Sequence, residues 1–165
     1  MDQTTSASNW GQISVTEIDL KRVRETAEGH YRSGEFGCSE AVVKTIRDEF
    51  GLKLPDEVIA MASGFPAGMG RAGCVCGAVA GGVMALGMIF GRTQGGDPRI
   101  KHIMALSREL HDGFQERHRA LCCRILIRGF QFGSPEHKNQ CISLAGEVAE
   151  ETARLIAREL SMAGV

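Results

Sequence analysis

The sequence predicts an all-α protein: a compact single-domain array of five to six helices with a buried, glycine-rich central helix. Apolar residues recur with the 3.6-residue period of an α-helix, most clearly near the C-terminus. No run alternates polar and apolar residues for long enough to demand a strand. With 165 residues and 43% hydrophobic content, the chain is long enough for one domain with a real core. We expect a loose N-terminal segment over residues 1–13 and a single helical domain over residues 14–165.

Three helices are predicted before the glycine-rich middle of the chain. The first begins at a capping box, Ser14-x-x-Glu17, and turns one apolar face inward. The second starts with Cys38, directly after the break at Gly34-Glu35-Phe36-Gly37. The third is short and follows Leu54-Pro55-Asp56-Glu57, because proline is tolerated in the first turn of a helix.

The fourth predicted helix, from about Cys76 to Phe90, is apolar on all sides. The uncharged stretch from Ala72 to Phe90 has the length of a membrane span, but five glycines and two cysteines favour a buried core helix. Its glycines at four-residue spacing lie along one side and admit a closely packed neighbour. These glycines are Gly77 and Gly81, then Gly87 and Gly91.

The second half of the chain predicts two long helices and one ambiguous segment. Asp97-Pro98 opens a helix that runs towards Arg119. The segment 120–127 is either a continuation of that helix or a separate short one. Ser134-Pro135-Glu136 begins the last helix, whose apolar residues keep the helical period for some five turns.

Composition and charge narrow the classes of partner. The net charge is −1, and Lys and Arg are scattered, so the chain lacks the basic patch typical of proteins that bind nucleic acid or anionic membranes. Small molecules, metals or proteins are the expected partners, a homo-oligomer is an open alternative, and no membrane insertion is expected. The polar, acidic start lacks the pattern of a secretory signal, so we expect a cytoplasmic location. In a reducing compartment, six cysteines favour metal binding or reversible redox chemistry over a disulfide framework.

Four of the cysteines carry the strongest chemical signal. Cys38, Cys76, Cys123 and Cys141 each lie at or near the point where a glycine-rich or polar connector gives way to a helical pattern. Unpaired backbone N–H groups and a partial positive charge at a helix start favour a thiolate over a thiol. Thiolates ligate metals and take part in redox chemistry, so these four residues are the candidate site.

One run of residues resembles a known family. Cys76-Gly77-Ala78-Val79-Ala80-Gly81 is a Cys-Gly-Ala-x-x-Gly run, with one cysteine upstream and two downstream. It resembles the bacterial and archaeal C_GCAxxG_C_C family of redox-active proteins, and the similarity extends from about Gly34 through the final helix. Position by position, the resemblance implies that the family's four cysteines correspond to Cys38, Cys76, Cys123 and Cys141. It implies a redox or metal-binding role without a defined reaction.

Metal binding is the first hypothesis for the four cysteines. Four thiolates at one point repel one another unless a cation neutralises them, and the cation is expected to be iron in an iron–sulfur cluster for electron transfer, or zinc. Two further cysteines, Cys74 and Cys122, fall outside the pattern and are expected to be accessory. Arg71, Arg124 and Lys138 lie near enough in sequence to offer charge or hydrogen bonds to sulfur.

Two alternatives remain open from the sequence. A metal-free thiol–disulfide oxidoreductase would use Cys38 or Cys76 for attack, with Cys74 or the vicinal pair Cys122-Cys123 supplying partners. A non-enzymatic accessory module of a membrane transport system is the second alternative. An electron-transfer or transport-associated protein would be the partner in these cases, and whether the chain is an enzyme stays open.

Overall fold

The fold is seen in a computed structural model that describes residue 13 and residues 15–164. The helices are α1 (Leu20–Ser33), α2 (Cys38–Glu49), α3 (Glu57–Ala60), α4 (Pro66–Met69), α5 (Gly77–Phe90), α6 (Arg99–His118), α7 (Cys123–Leu126) and α8 (Pro135–Glu159). Two short strands, β1 (Glu17–Ile18) and β2 (Ala163–Gly164), pair in parallel. The predicted all-α class is therefore confirmed. The predicted N-terminal segment lies outside the described residues except for Ile13, so its looseness and the domain boundary stay predictions.

Helix α1 begins later than the sequence predicted. Ser14 lies outside the described residues, and Glu17 is part of β1 rather than of a first helical turn. The side chain of Asp19 caps the helix instead, accepting a hydrogen bond from the backbone N–H of Arg22 at 2.9 Å. Ile18, only 1% exposed, is buried in an extended conformation that the capping-box pattern did not anticipate.

Helix α5 lies at the centre of the structure, in contact with α2, α6 and α8. Two of its glycines behave as the spacing predicted, since a side chain at Gly81 would collide with the backbone of Ser39 and one at Gly77 with Cys38. The prediction that Gly87 also admits a closely packed neighbour was wrong, because a β-carbon there would meet nothing within 4 Å. Gly91 caps the end of α5 through its N–H bond to the carbonyl of Gly87. Among the described residues, no helix is both long enough and apolar enough to cross a membrane.

The second half of the chain matches its predicted boundaries closely. Helix α6 follows Pro98 and ends before Arg119, and the ambiguous segment forms the separate short helix α7. Glu147 of α8 joins the two long helices by accepting from Arg117 at 2.7 Å and contacting His118 at 2.9 Å. No local pattern in the sequence predicts this contact between α6 and α8.

Candidate functional site

A pocket of about 760 Å³ lies where α2, α5 and α7 begin and where the second turn of α8 passes. All four patterned cysteines line it: Cys38, Cys76, Cys123 and Cys141. Cys38 and Cys123 are the first residues of their helices, and Cys76 is the residue before α5. Helices that start far apart in sequence therefore bring these sulfur atoms to a single cavity.

Cys141 departs from the predicted placement at a helix start. It is the seventh residue of α8, because Ser134 caps the helix upstream by accepting the N–H of His137 at 3.2 Å. One helical turn separates Cys141 from His137, so both side chains lie on the same face, and both line the pocket.

Local hydrogen bonds fix Cys38 at the start of α2. The carboxylate of Glu40 accepts the backbone N–H of Gly37 at 2.7 Å and the hydroxyl of Ser63 at 2.6 Å. The sulfur of Cys38 then lies against Gly77, where an added β-carbon would come within 2.5 Å of it and within 2.8 Å of the carbonyl of Phe65. The glycine after Cys76 in the motif is therefore required for close approach of the α2 sulfur to the start of α5.

Two chain segments, residues 73–76 and 121–124, run side by side and form what we term the cysteine clip. The N–H of Cys76 donates to the carbonyl of Leu121 at 2.7 Å, and the N–H of Arg124 donates to that of Gly73 at 3.0 Å. A disulfide between Cys74 and Cys122 crosses the clip.

The disulfide assigns a role to both cysteines that lie outside the family pattern. The metal-free alternative offered Cys74 and the vicinal pair Cys122-Cys123 as partners for cysteines close to them in sequence, but Cys74 and Cys122 instead pair with each other across the two segments. The four patterned cysteines are free thiols. Of these, Cys76 and Cys123 lie beside the disulfide in the cysteine clip and hydrogen-bond to each other.

Hydrogen bonding makes Cys123 the most acidic of the four thiols. The thiol of Cys76 donates to its sulfur, and the backbone N–H groups of Gly77 and of Cys123 itself add to the effect, so the pKa of Cys123 falls to about 7 although the residue is buried. The pKa of Cys76 is raised, because its proton is held by that hydrogen bond and because the side chain is buried. Cys123 therefore carries the thiolate, which lies at the N-terminus of the 14-residue helix α5.

The other two thiols stay protonated at neutral pH. Burial raises the pKa of Cys38 to about 11, although the N–H of Ala67 partly opposes this. Burial also raises the pKa of Cys141, against the opposing effect of the hydroxyl of Tyr31, which donates a hydrogen bond to the sulfur. Burial and the surrounding sulfurs raise the pKa of Tyr31 in turn, so this hydroxyl remains a donor.

Arginine side chains and a histidine border the thiols. Arg71 and Arg124 both line the pocket, and the guanidinium of Arg71 lies 4.8 Å from the ring centre of Phe132. The side chain of Arg124 covers Gly73. Lys138, which sequence proximity also suggested, is exposed and is not part of the lining.

Tyr31 and His137 are two of the pocket residues that sequence reasoning missed. The spacing of His137 and Cys141, four residues apart on one helix, could have indicated the histidine. Tyr31 carried no comparable signal, because its place in the apolar period of α1 predicted only a core side chain.

A site for a single metal ion is not formed by the part of the chain that the structure describes. No group of three or more His, Cys, Asp or Glu side chains there is arranged to hold one ion. The four cysteines share a cavity without meeting at one point.

Comparisons with known proteins identify a family. The sequence profile of the family described as "Putative redox-active protein (C_GCAxxG_C_C)" matches residues 36–155. No curated protein and no solved structure matches the chain. All six cysteines and the pocket's two arginines lie inside the matched range. Because the match covers well over half of the 165 residues, the chain belongs to the C_GCAxxG_C_C family of redox-active proteins.

Proposed function

We propose that this protein carries out reversible thiol–disulfide exchange, with Cys123 as the attacking thiolate and Cys76 as the resolving thiol. The observation that carries the proposal is the hydrogen-bonded pair of free thiols in the pocket, in which the pKa of Cys123 falls to about 7. A thiol with a pKa near ambient pH combines a large thiolate fraction with good nucleophilicity. Cys123 replaces Cys38 and Cys76, the attacking residues considered from sequence alone.

The exchange proceeds in two steps that balance. The thiolate of Cys123 attacks one sulfur of a disulfide substrate, a mixed disulfide forms, and the other half of the substrate leaves as a thiolate. Cys76 then attacks the sulfur of Cys123, releasing the second half of the substrate and forming a Cys76–Cys123 disulfide. The two electrons come from the cysteine pair, the proton of Cys76 ends on one of the two substrate halves released, and the other half leaves as a thiolate that takes a proton from water. An external dithiol or an electron-transfer protein must reduce the pair again.

The neighbouring groups support each step. The N–H of Gly77 stabilises the negative charge on Cys123 before attack. The cysteine clip holds Cys76 beside Cys123 through its backbone hydrogen bonds, so resolution needs little chain movement. Cys38 and Cys141, both protonated, do not compete for the substrate at neutral pH.

The pH dependence of alkylation tests the proposal. In the reduced protein, carbamidomethylation of Cys123 by iodoacetamide, followed by peptide mass spectrometry, should rise with pH around a midpoint near 7. Cys38 serves as the internal comparison, since its thiolate forms only near pH 11. A stoichiometric disulfide should then yield the Cys76–Cys123 linkage on peptide mapping. A Cys123 midpoint near 9, or a different linkage, would contradict the assignment.

An iron–sulfur cluster held by Cys38, Cys76, Cys123 and Cys141 is a second candidate function. The observation that favours it is that four soft sulfur donors line one cavity of about 760 Å³. A cluster distributes its ligands over two or four irons, so it needs a cavity lined by thiolates rather than one shared point. When bound, it would supply one-electron transfer; Arg71 and Arg124 would offset its negative charge. Zinc, the other metal considered from sequence, has no preformed four-sulfur arrangement among the described side chains.

Oxygen-free purification separates the two candidates. Protein with stoichiometric iron and acid-labile sulfide, and with visible charge-transfer absorption that is lost in C141S, would support the cluster. Colourless protein with four titratable thiols in the presence of its disulfide would support exchange chemistry. A cytoplasmic location and a homo-oligomeric state remain predictions, to be checked by fractionation of cells and by light scattering.

A further inference from the structure

The pocket has an unbalanced positive charge. Its lining contains Arg71 and Arg124 and no aspartate or glutamate. Neither arginine forms an ion pair with any described carboxylate, whereas other arginines do, such as Arg158 with Glu109 at 2.6 Å. The thiolate of Cys123 is the anionic group of this lining, and two guanidinium groups exceed its single charge, so the cavity is suited to a ligand that carries negative charge.

His137 adds a neutral hydrogen-bond donor. Its side chain is 7% exposed and lines the pocket, and its Nδ1 accepts the backbone N–H of Gly133 at 2.9 Å. The neutral ring therefore carries its proton on Nε2, which has no hydrogen-bond partner among the described residues. Burial lowers the pKa of His137, so the ring stays neutral at pH 7 and remains a donor through Nε2.

Apart from Tyr31 and Ser63, the rest of the lining is apolar, and the cavity has the size of a small-molecule site. Phe132, Leu126, Ile127 and Leu144 supply carbon surface around the thiols. A volume of about 760 Å³ falls in the range of about 300–1,000 Å³ that is usual for small-molecule sites. The cavity thus offers apolar contact for a carbon chain, with positive groups beside the thiol pair.

We infer that the substrate is a small organic disulfide that carries carboxylate groups, bound by Arg71 and Arg124 so that its sulfur–sulfur bond faces Cys123. This inference rests on the proposed thiol–disulfide exchange and names the substrate class of the same site. Guanidinium groups bind carboxylates through paired hydrogen bonds, which orient the substrate as well as attract it. The reaction oxidises Cys76 and Cys123 to a disulfide and reduces one substrate disulfide to two carboxylate-bearing thiols.

Three disulfides with the same sulfur chemistry and different charge test the inference. They are 3,3′-dithiodipropionate, its neutral diamide, and the cationic cystamine. In a C76S variant, Cys123 keeps a hydroxyl donor beside it but cannot be released from the mixed disulfide, so intact-protein mass spectrometry gives the rate of attack. Peptide mapping assigns the added mass to Cys123. Each rate is divided by the rate of 2-mercaptoethanol with the same probe, which removes differences in intrinsic reactivity.

We expect the dicarboxylate to react about tenfold faster than the diamide after this correction, with cystamine the slowest. In an R71Q/R124Q variant, this advantage should shrink to less than threefold. R128Q is the matched control, because Arg128 is exposed, follows α7 and does not line the pocket. It should keep the full preference. Circular dichroism checks the fold, and the single variants R71Q and R124Q replace the double variant if its fold is lost.

The outcomes distinguish an error in the substrate class from an error in the proposed exchange reaction. Equal corrected rates for the three probes, or a preference for cystamine, would overturn the anionic substrate and leave the exchange reaction intact. An equal loss of preference in R128Q would also overturn it, since a general surface charge would then explain the selectivity. If no probe modifies Cys123, the proposed function itself fails.

Discussion

Two glycines of α5 provide a direct test of the close packing that forms the pocket. A β-carbon at Gly81 would lie 2.6 Å from the carbonyl oxygen and 2.9 Å from the Cα of Ser39, next to Cys38 in α2. Backbone atoms cannot rotate away, so G81A must push α2 and α5 apart, at an overpacking cost in the upper part of the usual range, about 2–3 kcal/mol. Replacing glycine by alanine inside a helix recovers about 1 kcal/mol. We expect a net loss of about 1–2 kcal/mol in the free energy of unfolding.

Gly87, six residues later in the same helix, is the matched control. A β-carbon there meets nothing within 4 Å, so G87A should gain up to about 1 kcal/mol. Urea denaturation followed by circular dichroism measures both variants, and the two should differ by about 2–3 kcal/mol. Equal or greater stability of G81A relative to the wild type would refute the helix packing on which the site depends.

Three further predictions concern individual contacts. C76A removes the main cause of the low pKa of Cys123, so the alkylation midpoint of Cys123 should rise from about 7 towards the ordinary value of 9.0. C76S should shift this midpoint less, because serine keeps a hydroxyl donor. An unchanged midpoint in C76A would count against the hydrogen-bonded pair. Y31F removes a donor that lowers the pKa of Cys141, so alkylation of that cysteine at pH 8 should slow several-fold, as peptide mass spectrometry can measure. Burial alone would raise the pKa of Glu147, but His118 and Arg117 outweigh burial and lower it. The stabilisation that Glu147 provides is therefore fully present above the pKa that it has in the unfolded chain, and it is lost as the pH falls through its lower pKa in the folded protein. Between pH 5 and pH 3, the midpoint temperature of thermal unfolding should accordingly fall less for E147Q than for the wild type.

The helices were predictable wherever local chemistry determines them. Pro98 and the Ser134-Pro135 pair mark starts that depend only on backbone geometry, and these boundaries match. The start of α1 was misplaced because Ile18 pairs with the far end of the chain, a contact that no local pattern encodes. The prediction of close packing along the glycines of α5 was correct only at Gly77 and Gly81, where α2 crosses the helix. The place of that crossing depends on how α2 packs, which the spacing of the glycines does not determine.

The sequence predicted which four cysteines gather in one place, but not how they are arranged there. The family pattern indicates Cys38, Cys76, Cys123 and Cys141, and all four line one pocket. Which thiol is the most acidic depends on donors that meet only in the folded chain, above all the hydrogen bond from Cys76 to Cys123. The metal, the substrate and the reaction itself have no local signature in the sequence, so they remain proposals.

The bridge between Cys74 and Cys122 closes a ring of chain that contains the whole of α5 and α6. For a separation of 48 residues, the entropy that such a ring removes from the denatured chain corresponds to about 4 kcal/mol at 25 °C. The free energy of unfolding should therefore depend on the reduction potential of the surrounding solution. A cell compartment that breaks this bond would make the fold less stable as well as alter the state of its thiols.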